Sequence, residues 1–380
     1  MGFVRLLLAL FLALLVSGVS TSAVLILPPP TPQDPLAPKI LSSKGQSLDP
    51  VFSPDGKFIA YSSNLYGDFD IWLVDANGRH KIRLTSMPGD ERYPKWSSDG
   101  KRIAFLARHV NRTDIWILDI GGSNLINLTD DEACEECFEW HPKNNLILYD
   151  SNKNGKWDIY LRNLDTNQMF RLTNSEYDSR YPSWTSDGEG ILFSSNNNGT
   201  FNIYFMNLGK GLVKQLTRCV HNCTKPSMSS DKAHIAFVLQ EVARKTVWIM
   251  DSDGKNAREA ISSPIEQAPG IGWSALVSDE AYPLWNPKHK MLMYSSSNMD
   301  QTGKDIYIFY LNISVIEYSG AAPIRNVVGD ALIPIISSRA CEIYPNWRPD
   351  GKGIIYASNK SGTFDIWLMI IETEKLNPYG

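Results

Sequence analysis

The sequence predicts an all-β fold built from repeated four-stranded sheets, and three observations carry this prediction. A large residue, usually Trp, recurs at 44-residue steps. An aromatic residue after Asp-Ile, and a Leu-Thr pair, recur in phase with it at the same step. Short apolar runs alternate with turn residues, and no helical period is seen after residue 40. A fixed period in the forties is typical of a repeat architecture made of short strands.

The first column of the repeat places one large side chain in each unit. The residues of this column are Phe52, Trp96, Trp140, Trp184, Met228, Trp285 and Trp347. The first four intervals are 44 residues each, and the last two are 57 and 62. Because the same kind of side chain recurs at one phase, we expect Phe52 and the five tryptophans to pack the sheets rather than to bind a ligand.

One period accounts for four strands in order. Strand A carries the large residue, residues 53–56 form a turn by their Ser-Pro-Asp-Gly chemistry, and strand B covers residues 58–61. Strand C covers residues 71–74 and strand D begins at residue 82. Strand C is apolar at successive positions, which is typical of a sheet buried on both faces. Four-stranded sheets arranged radially form a β-propeller, which closes on itself and protects its edges.

Seven strand A positions predict seven blades, with six as the alternative. The last unit lacks a Leu-Thr match after residue 372, whereas residues 39–43 resemble residues 83–86 one period later. We therefore expect residues near 38–43 to form the outer strand of the blade built by the C-terminal residues. Such a clasp ties the two ends of the ring together.

The N-terminal residues have the features of an export signal. Arg5 precedes an apolar run over residues 6–16, and small residues follow up to residue 23. We expect residues 1–23 to be a signal peptide, with a membrane anchor as the alternative, and residues 24–38 to be a proline-rich spacer. Residues 39–380 then form one propeller domain that is secreted or extracytoplasmic, or that is held outside a membrane by its N-terminus.

The repeat motif resembles that of a known family. Residues 49–57, 93–101, 181–188 and 344–352 read Tyr-Pro-X-Trp-Ser-Pro-Asp-Gly-Lys or a close variant. An aspartate precedes the strand C pair at Asp70, Asp114, Asp158, Asp305 and Asp365. This pattern resembles the WD40-like (PD40) repeat of the TolB family over about residues 40–375. The resemblance implies the propeller fold. We expect two departures from TolB, since the sequence shows no N-terminal α/β domain, and TolB resembles a six-bladed ring whereas seven strand A positions occur here.

Two insertions interrupt the repeat, at residues 262–281 and 311–342, and we expect both in connections from strand D to the next strand A. The first contains an apolar group with flanking glycines: Ile271, Trp273, Leu276 and Val277. This loop either presents a surface for a partner or folds over the mouth of the channel. Acidic residues on the same predicted face are Asp131, Glu132, Glu135 and Glu136, which favour a basic partner or a cation.

The five cysteines also lie in connections from strand D to strand A. In an exported chain we expect the disulfides Cys134 with Cys137 and Cys219 with Cys223, leaving the pairing of Cys341 open. A zinc site that includes His221 is the alternative. Six glycosylation sequons begin at Asn111, Asn127, Asn198, Asn222, Asn312 and Asn359.

One segment has the form of a calcium loop. Asp150, Asn152, Asn154 and Asp158 place side-chain oxygens at alternate positions around Gly155. The terminal Glu of such a loop is absent, and residues 194–199 and 357–362 have the same form without the first Asp. An ordinary turn between strands B and C is therefore the competing interpretation, and calcium is the one cofactor considered.

The sequence favours a binding protein over an enzyme. Net charge is −4 and no basic stripe is present, which argues against nucleic acid. The six histidines fall at different phases, and no Gly-X-Ser-X-Gly or His-Glu-X-X-His motif occurs. We expect a non-catalytic, monomeric scaffold that binds a protein or another cell-envelope component at the face with the long loops. The alternatives are a carbohydrate-binding protein and a metal-dependent polysaccharide lyase or hydrolase.

Overall fold

The computed structural model describes residues 25–26, 39–41, 44–110, 112–121, 124–197, 199–241, 245–260, 283–297, 304–319, 322–336 and 340–371. The predicted signal peptide and the apolar loop with Ile271, Trp273, Leu276 and Val277 lie outside these residues. No helix in the described ranges is long and apolar enough to cross a membrane.

Strands are numbered in chain order, and β1 (Leu25–Ile26) and β2 (Lys39–Leu41) precede the first blade. Blade 1 comprises β3 (Ser47–Phe52), β4 (Phe58–Ser63), β5 (Asp70–Asp75) and β6 (Ile82–Arg83). Blade 2 comprises β7 (Asp90–Trp96), β8 (Arg102–Arg108), β9 (Thr113–Asp119) and β10 (Leu125–Asn127). Blade 3 comprises β11 (Glu135–Trp140), β12 (Leu146–Ser151), β13 (Asp158–Asn163) and β14 (Met169–Arg171).

The remaining blades follow the same order. Blade 4 comprises β15 (Ser179–Trp184), β16 (Gly190–Ser195), β17 (Asn202–Asn207) and β18 (Leu212–Gln215). Blade 5 comprises β19 (Asn222–Met228), β20 (His234–Gln240), β21 (Lys245–Asp251) and β22 (Arg258–Glu259). Blade 6 comprises β23 (Leu284–Trp285), β24 (Met291–Ser297), β25 (Lys304–Ser319) and β26 (Ala322–Ile336). Blade 7 comprises β27 (Glu342–Trp347), β28 (Gly353–Ser358) and β29 (Asp365–Ile370), and its fourth strand comes from elsewhere.

That fourth strand is β2, which confirms both the seven-bladed ring and the predicted clasp. β2 pairs antiparallel with β29 and forms the outer edge of blade 7. Leu41 is buried in the core between blades 7 and 1. The Nζ of Lys39 lies 2.6 Å from the Oδ2 of the buried Asp365. β1 adds a fifth strand, parallel to β26, at the edge of blade 6.

The second insertion is not the connection from strand D to strand A that the sequence predicted. Its extra residues lengthen strands C and D of blade 6, since β25 has 16 residues and β26 has 15. The two strands stay paired from Ile306 with Ile336 to Ser319 with Ala322. The hairpin therefore extends on the face of the A to B turns, opposite the face of the D to A connections. The prediction was wrong because the count from strand C to the next strand A does not distinguish a longer hairpin from a longer loop.

The recurring tryptophans join neighbouring blades. Trp96, Trp140, Trp184 and Trp347 are each at most 9 % exposed, and Phe52 takes the same place in blade 1. Each indole Nε1 donates to a backbone carbonyl of the preceding blade, as from Trp140 to Lys95 at 3.0 Å. Trp285 is partly buried and donates to the carbonyl of Ser227 in the same way. The column therefore combines apolar packing with one inter-blade hydrogen bond per indole.

Candidate functional site

The innermost strands enclose a central channel with a cavity volume of about 1200 Å³. Strand A of every blade contributes to its wall, because the A strands lie at the centre of the ring, and residues of strand B such as Arg108 and Val238 line it as well. A ring of prolines lines it at one matched position, namely Pro50, Pro94, Pro182, Pro226, Pro283 and Pro345. The mouth of the channel on the face of the D to A connections is called the D–A mouth below.

The residue before five of these prolines has an unusual backbone conformation. Asp49, Tyr93, Tyr181, Lys225 and Tyr344 have φ between 52° and 58°. The pairing of strands A and B shifts register at the same place, as between Arg92 and Lys95 in blade 2. A non-glycine residue in the left-handed region costs about 1 kcal/mol. Because the conformation recurs at the same position of strand A, it is a regular feature of the blade, associated with the β-bulge between strands A and B. The five side chains line the channel at the D–A mouth.

Arg92 occupies a pocket between blades 1, 2 and 7. Its Nε donates to the Oδ2 of Asp49 at 2.6 Å, and its Nη2 donates to the Oδ1 at 3.1 Å. The guanidinium lies 4.6 Å from the ring centre of Phe69, 5.0 Å from Tyr93 and 5.7 Å from Tyr344. Such a planar, two-pronged pair enclosed by aromatic rings is the arrangement that arginine favours for binding a carboxylate.

Arg180 occupies the matched pocket 88 residues later, between blades 3 and 4. Its guanidinium lies 4.1 Å from the ring centre of Trp157 and 4.9 Å from that of Tyr181. Its Nη2 donates to the Oε2 of Glu136, whose side chain is 52 % exposed. Burial lowers the pKa of Arg180, but the charges of Tyr181, Asp150 and Glu136 outweigh this and raise it. Arg180 therefore stays charged while its bonded partner reaches into solvent.

A pair of opposite charges lies deeper in the channel. The Nζ of Lys95 donates to the carbonyl of Phe138 at 2.7 Å, and the backbone N–H of Trp184 donates to Glu139 at 3.1 Å. Burial raises the pKa of Glu139, and the charge of Lys95 opposes that rise. Both side chains are held against the wall of the channel by backbone groups of the next blade.

Two glutamates, one of them at the channel wall, are buried within the blades. Glu135 is fully buried and accepts from Thr129 and Ser151, each at 2.7 Å. Glu91 is buried likewise and accepts from Thr85 at 2.7 Å. Burial raises the pKa of each carboxyl to about 7, and the hydroxyl hydrogen bonds act in the opposite direction.

The structure corrects the use of Glu135 as a partner contact, because its side chain has no access to solvent. Glu132 and Glu136 are exposed, and Asp131 is partly exposed. Glu136 is paired with Arg180, and Asp131 accepts from the backbone of Ala133. Asp131, Glu135 and Glu136 are thus each engaged with a different partner.

The side chains predicted to bind calcium form hydrogen bonds with other groups of the protein instead. Asp150 is fully buried and accepts from the backbone N–H groups of Glu136, Cys137 and Tyr181. Asn152 accepts from the backbone of Cys134, whereas Asn154 donates to Tyr160. Asp158 accepts from the side chains of Arg171 and Thr173. Calcium binding needs several oxygens that converge with free lone pairs. This geometry therefore does not support the calcium hypothesis and favours the ordinary turn.

Cys219 and Cys223 form a disulfide, as the sequence predicted, with Cα atoms 6.3 Å apart. The predicted disulfide between Cys134 and Cys137 is absent. Three residues of extended chain separate Cα atoms by about 10 Å, which exceeds the roughly 7 Å limit for a disulfide. Cys341 is likewise outside any disulfide.

The alternative of a zinc site is not supported either, because the described residues offer no suitable set of ligands. No group of three or more His, Cys, Asp or Glu residues that could hold a metal ion occurs among the described residues. His141 is buried and accepts from the backbone N–H groups of Lys143 and Asn144. Its role is therefore to hold the turn after strand A of blade 3.

Sequence reasoning overlooked the two arginine pockets. Arg92 and Arg180 each precede a Tyr-Pro step, and an aromatic residue precedes the Asp of strand C in the blade before them. Those two signals recur together 88 residues apart, and read in matched columns they would have predicted both pockets. They were missed because a single arginine carries no repeat of its own.

The fold is shared with many solved structures. TolB from Acinetobacter baumannii is 21 % identical, with a TM-score of 0.51, and the match covers 76 % of this chain and 66 % of that one. An oligogalacturonate lyase in complex with manganese is 12 % identical, with a TM-score of 0.60 and coverages of 88 % and 93 %. The β-propeller domain of the trilobed protease from Pyrococcus furiosus is 14 % identical, with a TM-score of 0.58 and coverages of 85 % and 95 %. At these identities the likeness shows the fold alone.

The sequence itself gives the family. No curated protein matches the chain. The family model of the TolB β-propeller domain matches residues 36–277 and 158–314. Since these matches span well over half of the sequence, the chain belongs to the TolB β-propeller domain family.

Proposed function

We propose that this chain is an exported, non-catalytic module that binds a segment of a partner protein at the D–A mouth. The observation that carries the proposal is the composition of this mouth. Tyr93, Tyr181 and Tyr344 line it beside Arg92, with Arg180 on Tyr181. Tyrosine and arginine are the residue types that dominate binding energy at protein interfaces, because they give large contact areas with few rotatable bonds.

The channel suits a polypeptide segment in size and lining. A cavity of about 1200 Å³ exceeds what a small ligand needs and accommodates several residues of an extended chain. The proline ring supplies an apolar wall, and Lys95 and Glu139 supply polar contacts below it. The partner on this proposal is a protein or another component of the cell envelope.

An extracytoplasmic location is part of the same proposal. The disulfide between Cys219 and Cys223 supports it, since disulfides persist mainly in oxidising compartments. The apolar run over residues 6–16 supports it as well, because it has the length of an export signal.

Site-specific photo-crosslinking in the native host tests the proposed function. A photoreactive phenylalanine analogue replaces Tyr93 at the mouth, and the matched control carries it at Met169, which is 45 % exposed on an outer strand. We expect a discrete crosslinked partner from position 93 that position 169 does not give. Equal crosslinking from both positions, or none from position 93, would contradict the proposal.

A further inference from the structure

The two arginine pockets share an arginine, a tyrosine and a second aromatic residue at matched positions. Arg92 matches Arg180, Tyr93 matches Tyr181, and Phe69 matches Trp157, each 88 residues apart. At the fourth position Asp49 of the first pocket is replaced by Cys137 in the second. The first pocket thus holds its carboxylate within the chain, whereas the second has a thiol at that position.

The exchange changes how the guanidinium is bonded. Asp49 takes two hydrogen bonds from Arg92 and has a side chain only 5 % exposed. In the second pocket the Nε of Arg180 is buried and has no hydrogen-bond partner within the described ranges. A buried N–H without a partner costs about 1–3 kcal/mol, so a group that accepts from it gains that much.

The acids near Arg180 do not substitute for Asp49. Asp150 is satisfied by three backbone N–H groups, and no salt bridge joins it to Arg180 in the described part of the chain. Glu136 contacts only the Nη2 of Arg180 and is half exposed. Glu136 is therefore a counterion that a better-placed carboxylate can replace.

From this comparison we infer that the pocket of Arg180, Trp157 and Tyr181 binds a carboxylate of an acidic peptide segment, which displaces Glu136 and bonds to Arg180 as Asp49 does to Arg92. Lys225, which lies 6.0 Å from the ring centre of Tyr181, adds a second positive charge beside it. The inference rests on the proposed function, since it names the chemistry of the segment bound at the D–A mouth.

A peptide fits this pocket better than an acidic sugar. Sugar rings bind to open aromatic faces, whereas the guanidinium of Arg180 stacks on Trp157 and on Tyr181. The channel that continues from the pocket is walled by prolines such as Pro182 and Pro226, which suit the side chains of an extended polypeptide.

Binding to two peptide libraries tests the inference on the full chain. Each dodecapeptide of the first library carries a single Glu, and Gln replaces that Glu in the matched library. We expect the best Glu peptides to bind at least about tenfold more tightly than their Gln counterparts, because hydrogen bonds to charged groups are the stronger ones. The affinity is measured by fluorescence polarisation of labelled peptides.

Three variants test whether the preference for Glu peptides depends on the pocket of Arg180. Arg180→Gln removes the positive charge and is expected to abolish the preference for Glu. Cys137→Asp supplies the internal carboxylate of the first pocket and is expected to abolish it too, with the melting temperature unchanged or raised. Glu136→Gln removes the competing counterion and is expected to strengthen Glu-peptide binding severalfold. A preference that persists in both Arg180→Gln and Cys137→Asp would overturn the inference.

The remaining outcomes separate the inference from the proposed function. Equal binding of Glu and Gln peptides overturns the inference, and a crosslinked partner at position 93 would leave the proposed function standing. Tight binding of trigalacturonate that needs Arg180, without any peptide preference, overturns the peptide assignment in favour of an acidic sugar. Loss of both the preference and the crosslink would contradict the inference and the proposed function together.

Discussion

Blades 1 to 4 repeat at a constant step of 44 residues, whereas blades 5 to 7 each depart from this pattern. Blade 5 departs in the large residue of strand A, blades 6 and 7 in spacing, and blade 6 also in strand length. In the regular blades the Thr of each Leu-Thr pair accepts the backbone N–H of an Ile in strand C, as Thr85 accepts from Ile71 at 2.8 Å. The other three threonines do the same at 2.9 Å. In blade 5 the Leu position is Ala260, and in blade 6 strands C and D grow to 16 and 15 residues.

This difference shows what holds the period constant. A side-chain oxygen that must reach one particular backbone N–H fixes the distance between strands C and D. Where this threonine hydrogen bond is absent, only strand pairing constrains strands C and D, and strand pairing tolerates longer strands. Side chains that recur in the regular blades are therefore structural, and the exchanges between matched positions, such as Asp49 to Cys137, are the places to look for function.

The largest expected effect lies in the irregular half, where blade 7 depends on β2. A chain that begins at residue 46 loses the buried Leu41, worth about 2–3 kcal/mol, and leaves the buried Asp365 without Lys39, worth about 3–5 kcal/mol. We expect the free energy of unfolding to fall by more than about 5 kcal/mol relative to a chain that begins at residue 24. Thermal unfolding followed by circular dichroism measures this, and equal melting temperatures would show that the clasp does not stabilise the ring.

The second prediction compares the large residue of strand A in a regular blade, blade 3, with that in blade 5. Trp140→Ala removes a buried indole and its bond to Lys95, which we expect to cost about 3–5 kcal/mol. Met228→Ala at the matched position of blade 5 removes a partly buried side chain without an N–H donor, and we expect a loss of about 1–2 kcal/mol. Chemical denaturation of both variants checks this, and equal losses would remove the distinction between the two halves.

The smallest effect concerns pH and the internal glutamates of the regular half. The pKa of Glu135 is about 7 in the folded protein against an ordinary value of 4.5, so the folded state keeps a proton that the unfolded state loses between these pH values. The free energy of unfolding therefore falls as pH rises from about 4.5 to about 7, by about 1 kcal/mol per pH unit, and then levels off.

Glu135→Gln cannot ionise and is expected to flatten that part of the pH dependence. Glu91, with a pKa of about 7, keeps its own contribution in the variant. Unfolding curves at several pH values between 4 and 8 measure the slope. Parallel curves for the native chain and the variant would mean that Glu135 is ionised in the folded protein.

Much of the fold followed from the sequence because its determinants repeat. The tryptophan column, the Asp-Ile step and the similarity of residues 39–43 to residues 83–86 predicted the blades and the clasp. The hairpin of β25 and β26 could not be assigned, since an insertion changes a count without showing which strands it lengthens. Pairing over that stretch is a long-range property of the backbone.

The sequence predicted the candidate site only in part. Residue type and exposure are separate matters, and Glu135 and Glu136 illustrate this, because alternation along β11 buries one and exposes its neighbour. The cysteine pairs differ for a similar reason, since a strand begins between Cys134 and Cys137 whereas residues 218–221 bend outside any strand. Neither distinction can be read from spacing alone, because both depend on where the extended backbone starts.

The clasp between β2 and β29 also has a consequence for the time course of folding. Lys39 and Ser361 are hydrogen-bonded although 322 residues separate them along the chain. The four strands of each of blades 1 to 6 are neighbours along the chain, whereas this pairing requires the closure of nearly the entire chain. Such closure is slow because long-range contacts must first overcome loop entropy. We therefore expect blades 1 to 6 to gain structure early and ring closure to be the late, rate-limiting event, during which the edge of β29 is open to pairing with other chains.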